Sequence, residues 1–131
     1  MKIAAVSDDG TTISQHFGRA PIYVVLTVED GQIVSRETRP KTGHHTFGAA
    51  EHHAGPGEPH GYDTASQAKH RSMAETITDC QVLLAGGMGR GAYESMKAYD
   101  IKPIVTDVAN IDKAAALYLA GTLPNLMERV H

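Results

Sequence analysis

Four of the six residues from Gly86 to Gly91 are glycines, with Met88 and Arg90 between them. The apolar run Val82-Leu83-Leu84-Ala85 precedes this cluster, and a helical pattern, Ala92 to Tyr99, follows it. Glycines at a strand-to-helix junction leave backbone N–H groups open beside a helix N-terminus, where an anion can be held without charged side chains. Gly87, Gly89 and Gly91 are the candidates for such amides, and Arg90 would add a positive charge. The competing explanation is a tight connection that needs positive φ or close packing. The same residues satisfy G-x-G-x-x-[GA], with Asp107 twenty residues beyond Gly87, the spacing of a ribose-binding carboxylate. Only one further β–α unit follows, too little for a full dinucleotide fold, so a mononucleotide site stands as the alternative.

Imidazoles form the second chemical feature. Six of the eight histidines fall between His44 and His70. His44-His45 and His52-His53 are pairs, with His60 beyond them, and Glu51 and Glu58 can add oxygen ligands. Neutral imidazole suits zinc, nickel, copper or iron, and protons compete for it near pH ~6.5. No H-E-x-x-H or comparable spacing names the metal. His44, His45, His52, His53 and His60 are therefore candidate ligands by composition, weighed against a solvated insertion whose histidines act independently. His70 falls in a predicted helix and reads as an exposed helical residue. His16 stands apart, in a loop after the first strand. It can ligate a metal or donate a hydrogen bond to a sulfide, while Phe17 anchors the loop and Arg19 offers a fork of donors to an anion. Cys80 reads as a buried core residue, and one thiol cannot supply the four-cysteine ligation of ordinary iron–sulfur clusters.

The elements that must position these residues follow from the pattern of the chain. Lys2 to Ser7 reads as a buried strand, Tyr23 to Val28 as a second, and Asp30-Gly31 as a hairpin turn into an exposed edge strand, Ile33 to Thr38. Pro40 to Asp63 has no periodicity and reads as a long insert. A helix is predicted from Thr64 to about Thr78, then the strand Val82–Ala85, the helix over Ala92–Tyr99 with Tyr93, Met96 and Tyr99 as a packing stripe, and the strand Pro103–Thr106. A last helix is capped by Asn110 and ended by Gly121. The tail from Leu123 either docks or frays. Alternating β and α in the second half argues a parallel sheet covered by helices, with the hairpin adding antiparallel strands.

Composition narrows the function. The chain has 131 residues, 12 Lys and Arg against 15 Asp and Glu, and a net charge of −3, so a broad nucleic-acid interface is not expected. No apolar run is long enough for a membrane span, and the single cysteine fits a reducing cytoplasm. The expectation is one domain over 1–131 with a His-rich insert at about 40–63. Arg36 and Arg39 on the edge strand are candidates for a homodimer contact.

Two segments carry a resemblance to a known family. Ser14-Gln15-His16-Phe17-Gly18-Arg19-Ala20 after the first strand, and Leu84-Ala85-Gly86-Gly87-Met88-Gly89-Arg90-Gly91-Ala92, resemble the two signatures of the dinitrogenase iron–molybdenum cofactor biosynthesis family, which includes NifX, NafY and the C-terminal domain of NifB. Ile101-Lys102-Pro103-Ile104-Val105 resembles the strand that follows. The similarity covers about Lys2–Arg39 and Thr64–Gly121, and the insert departs from the shorter members. The resemblance implies a three-layer α/β/α, ribonuclease-H-like fold with a mixed five-stranded sheet. It also implies a non-enzymatic carrier for an iron–molybdenum, iron–sulfur or related metal–sulfide cluster or its precursor, working with cofactor-assembly or acceptor proteins. It brings His16, Arg19, Gly87, Gly89, Arg90 and Gly91 together as the cofactor-binding set. The alternatives are a metal-ion buffer or sensor using the histidine insert, and, last, a nucleotide-binding enzyme. Such an enzyme would need clustered carboxylates, of which only Asp8 and Asp107 are in view.

Overall fold

The computed structural model describes residues 1–41 and 74–131. Five strands form one mixed sheet: β1 (Lys2–Ser7), β2 (Ile22–Glu29), β3 (Gln32–Pro40), β4 (Val82–Ala85) and β5 (Lys102–Val105), in the order β3-β2-β1-β4-β5. β1 pairs antiparallel with β2 and parallel with β4. β3 joins β2 antiparallel and β5 joins β4 parallel. Two helices follow strands, α1 (Arg90–Ala98) after β4 and α2 (Ile111–Leu119) after β5. Among the described residues no helix is long and apolar enough to cross a membrane.

Side-chain alternation along the strands divides the core. Ala4 and Val6 of β1, Tyr23 and Val25 of β2, and Leu83 and Ala85 of β4 lie in one buried cluster with Ala92 and Met96 of α1. Ile3 and Ala5, Val24 and Leu26, and Val82 and Leu84 lie in the other, with Ile111, Ala114 and Ala115 of α2. The sheet is thus buried on both faces, which explains why β1 and β4 read as unbroken apolar runs. Tyr93 and Tyr99 pack against the first cluster, the stripe expected of them.

Local chemistry sets the boundaries. Asp30 (φ 53) and Gly31 (φ 76) both have positive φ, the conformation that joins two twisted strands in a two-residue hairpin. The β3 residues from Gln32 to Thr38 are exposed, the apolar Ile33 and Val34 at the start of the strand and the charged Arg36 and Glu37 further along it. Asn110 caps α2, its side-chain oxygen accepting from the Lys113 amide at 2.8 Å, and Gly121 (φ 78) follows the helix end.

Two expectations are refined. The helix predicted to reach Thr78 is helical only at Ala74 and Glu75 among the described residues, and turns continue to Asp79. The Ile77 amide donates to Ala74 and the Cys80 amide to Ile77, so the chain advances by three-residue turns that put Ile77 and Cys80 into the core. The tail docks. The Leu126 amide donates to the Val105 carbonyl at 2.7 Å, and Asn125 accepts from the Val105 amide at 3.0 Å, which occupies the outer edge of β5.

Candidate functional site

The parallel strands β1, β4 and β5 all deliver their carboxyl ends to one side of the sheet, the side where open α/β sheets place ligand crevices. A crevice of about 280 Å³ opens there. Its wall comes from the loop after β1 (Asp8 and Thr12 to His16), from Gly86 after β4, and from Thr106 to Ala109 after β5.

The β1–β2 loop is fixed by main-chain bonds at both flanks. Toward α2, the Ile13 amide donates to Ala109 at 2.7 Å and the Ile111 amide donates to Thr11 at 3.0 Å. Toward α1, the Gly86 amide donates to Ser14 at 2.8 Å and the Phe17 amide donates to Gly87 at 3.0 Å. Within the loop, Asp9 accepts from the Thr11 and Thr12 amides at 2.9 and 2.8 Å, and these bonds hold its carboxyl well below the usual carboxylate range. Ser7 Oγ donates to the Thr12 carbonyl at 2.7 Å and accepts from the Gly10 amide at 2.8 Å. Asp9 and Ser7 therefore shape the loop, and Asp8 is the carboxylate left on the crevice wall.

His16 is exposed on that wall. Its main chain is well held. The amide donates to Ser14 Oγ at 3.2 Å, and the carbonyl accepts from the Arg19 and Ala20 amides at 3.0 and 3.1 Å. Phe17 is buried beneath, and the Lys41 ammonium, itself fully buried, donates to the Phe17 carbonyl while lying 4.2 Å from the centroid of its ring. The loop thus combines an immobile backbone with an accessible imidazole.

Alternate amides of the glycine cluster are engaged by the main chain. The Gly86, Met88 and Arg90 amides donate to the Ser14, Arg129 and His131 main-chain oxygens, at 2.8, 3.3 and 2.8 Å. A Cβ on Gly86 would stand 2.9 Å from Gln15 Cα, and one on Gly87 would stand 2.7 Å from the Gln15 carbonyl oxygen. Close approach of two backbones therefore explains these two glycines, and neither has a positive φ. Gly89 is the N-cap of α1 with φ −76, and Gly91 lies in its first turn.

Of the residues read from the sequence as cofactor ligands, His16 lines the crevice. Gly87 is buried behind it, and Gly89, Arg90, Gly91 and Arg19 lie outside the lining. His44, His45, His52, His53, His60 and His70 fall outside the described residues. Among the described residues the charged groups in the wall are Asp8 and Asp107, both exposed, and no lysine or arginine lines it. Among the described residues no group of three or more His, Cys, Asp or Glu side chains is placed to hold a metal ion. Cys80 is buried in the core, and desolvation pushes its thiol up to about 12. Lys41 and Arg129 escaped sequence reasoning, because neither sits in a motif and both act through contacts remote along the chain. Arg129 donates from Nη1 to the Gly86 carbonyl at 3.2 Å.

Similarity to known proteins agrees with this architecture. The chain is 25% identical over 123 residues to an uncharacterized protein of Methanocaldococcus jannaschii, covering 94% of this chain and 89% of the relative. The crystal structure of PH0822 matches with a TM-score of 0.66 at 21% identity, over 95% of this chain and 96% of that one. The apo form of the orange protein from Desulfovibrio gigas matches with a TM-score of 0.63 at 22% identity, over 95% and 91%. The sequence profile of the family described as dinitrogenase iron-molybdenum cofactor matches residues 1–121, which include the His16 loop, the glycine turn and all five strands. On that extent of match, this chain belongs to the dinitrogenase iron–molybdenum cofactor family.

Proposed function

We propose that this chain is a one-domain, non-catalytic carrier of a metal–sulfide cluster, of iron–molybdenum or iron–sulfur type, or of its precursor. It would receive this cargo from, or pass it to, cofactor-assembly or acceptor proteins in the cytoplasm. We likewise read its layered sheet as a ribonuclease-H-like architecture. The observation that carries the functional reading is an exposed His16 on a rigid loop at the mouth of a crevice, in a chain of this family.

The chemistry of the wall narrows how the cargo is held. Asp8 and Asp107 oppose a bare anionic face, whereas imidazole is a good ligand for iron, copper and related metals. A cargo that presents a metal to His16, and sulfides to nearby amide and hydroxyl donors, fits the donor set. Among the described residues no three ligands surround one point, and for these residues a preformed cluster is a better fit than an ion assembled on side chains. A hydrolytic role lacks support in the same residues. The Ser14 hydroxyl bonds to the His16 carbonyl at 3.3 Å, so it is not poised on an imidazole as a nucleophile would be. His44, His45, His52, His53 and His60 would supply further metal ligands.

Anaerobic incubation with ferrous iron and tetrathiomolybdate together, which form iron–sulfur–molybdenum species whose iron is open to an imidazole, followed by desalting and elemental analysis, tests the reading. Uptake of about one equivalent per chain is expected, weakened at least about tenfold in His16→Ala. Replacing the five insert histidines together separates their contribution from that of His16. Retention no greater than that of an unrelated protein, with ferrous iron plus sulfide as well, would remove the basis of the proposal.

A further inference from the structure

The segment Asn125–His131 lies beyond the residues matched by the family and lies along the glycine turn. The Met88 amide donates to Arg129, the His131 amide donates to Met88 at 3.1 Å, and the Arg90 amide donates to His131, forming a short parallel bridge between Met88 and Val130. This strap is anchored at its other end on β5 through Asn125 and Leu126. Its side chains bury little apolar surface: Val130 is buried, while Met127 is 48% exposed. One strap side chain reaches the site, Arg129, through its bond to the Gly86 carbonyl.

Gly86 is thereby held from two directions. Its carbonyl accepts from Arg129, and its amide donates to Ser14. The next carbonyl, of Gly87, accepts from Phe17, so Gly86 and Gly87 bracket the two residues Gln15 and His16 from behind. Absence of side chains at both glycines lets the Gln15 backbone come within van der Waals distance, and any drift of the turn is felt directly by the loop. From these contacts we propose that Arg129 is a positioning residue for the crevice, setting the Gly86–Gly87 turn and through it the placement of His16. This rests on the carrier reading for its functional consequence, but its structural content stands separately.

The test uses the full chain and three point variants, Arg129→Gln, Arg129→Lys and Met127→Ala. Met127 lies on the same strap, and its half-exposed side chain accepts from Tyr93 Oη through sulfur at 3.5 Å, so its variant controls for loosening of the strap in general. Two readouts are taken: amide chemical shifts of Ser14, Gln15, His16, Phe17, Gly86 and Gly87, and affinity for the species formed by ferrous iron with tetrathiomolybdate. Arg129→Gln is expected to move those amide signals and to weaken affinity about tenfold, because a smaller share of molecules presents His16 in the binding geometry. Arg129→Lys, which keeps a cationic donor for the carbonyl, should recover most of both, and Met127→Ala should change neither. Unmoved loop signals and unchanged affinity in Arg129→Gln, or equal losses in Met127→Ala, would overturn the proposal while leaving the carrier reading intact. Should the unaltered chain retain neither the iron–tetrathiomolybdate species nor ferrous iron plus sulfide, the carrier reading fails, and the amide shifts alone still decide whether Arg129 positions the loop.

Discussion

The two ends of β4 are secured by different physics. On its approach, residues Thr76 to Gln81 carry main-chain bonds, among them the Gln81 amide to Lys2 at 2.9 Å, and a set of charged side chains besides. Arg39 donates to both oxygens of Asp79 at 2.7 and 2.8 Å and to the Thr76 carbonyl at 3.0 Å, while Glu37 and Lys2 extend the set to four charged groups. On its exit, Gly86 to Arg90 are tied by main-chain bonds to Ser14, Phe17, Arg129 and His131, with one side chain, Arg129, taking part. The first arrangement is partly solvent-exposed, with Asp79 at 46%, and answers to proton and salt concentration. The second is closed by shape, and answers to the addition of a single carbon atom. The crevice lies at the closed-by-shape end, which is where fixed geometry around an imidazole matters.

The sharpest way to break this contrast is to add that carbon. Gly87→Ala puts a methyl 2.7 Å from a carbonyl oxygen whose loop is itself bonded on both flanks, so relief requires moving backbone. A loss of about 3 kcal/mol in urea unfolding is expected, the upper part of the range for overpacking. A near-neutral result would mean that the exit of β4 is looser than its contacts imply.

The approach to β4 should yield less to mutation and more to pH. Asp79→Asn is expected to cost about 1 kcal/mol, as befits a screened ion-pair network, and to lose most of that effect in 1 M salt. Arg39 holds the Asp79 carboxyl well below the usual range. Its folded form therefore stays ionised to lower pH than the unfolded chain does, so its stabilisation is complete above the unfolded value of about 4 and is lost as pH falls further. Urea midpoints between about pH 6 and 3 should decline more steeply for the unaltered chain than for Asp79→Asn, while Gly87→Ala should keep the unaltered slope. Parallel curves for the unaltered chain and Asp79→Asn would show that this carboxylate carries none of the acid sensitivity.

The smallest effect is expected at Gly89. A Cβ there would meet only the His131 main-chain oxygen at 3.7 Å, and the φ of −76 suits any residue. Gly89→Ser should change stability by a few tenths of a kcal/mol, since glycine and serine both serve at a helix N-cap. A cost comparable to that of Gly87→Ala would show that the whole cluster, rather than its first two members, is closed by shape.

Much of this fold was legible wherever a local rule sufficed. Asp30-Gly31 announced the hairpin, Asn110 and Gly121 bracketed α2, and the apolar runs marked β1 and β4 because both faces of the sheet are covered. The glycine cluster was visible, and close packing was one of its two readings, because a glycine that frees an amide and a glycine that admits a neighbouring backbone look alike in one dimension; Gln15 at 2.7 Å shows the second at Gly87. Lys41 and the strap escaped for a related reason. Their partners, Phe17 and the Gly86–Arg90 turn, are 24 residues away for Lys41 and 43 residues away for the Arg129 contact, and no periodicity links them. Asp8 and Asp107 were in view, yet their common wall depends on the parallel placement of β1 and β5 about β4.

That placement has a consequence for biosynthesis. The crevice draws on residues 8, 12–16, 86 and 106–109, and its parts meet only when three strands lie side by side. A nascent chain leaving the ribosome carries its imidazole early but lacks the opposite wall until Ala109 has emerged and β5 has joined the sheet. Cargo held in this crevice would thus be held by chains that have already brought β1, β4 and β5 together, and occupancy would certify that step of assembly.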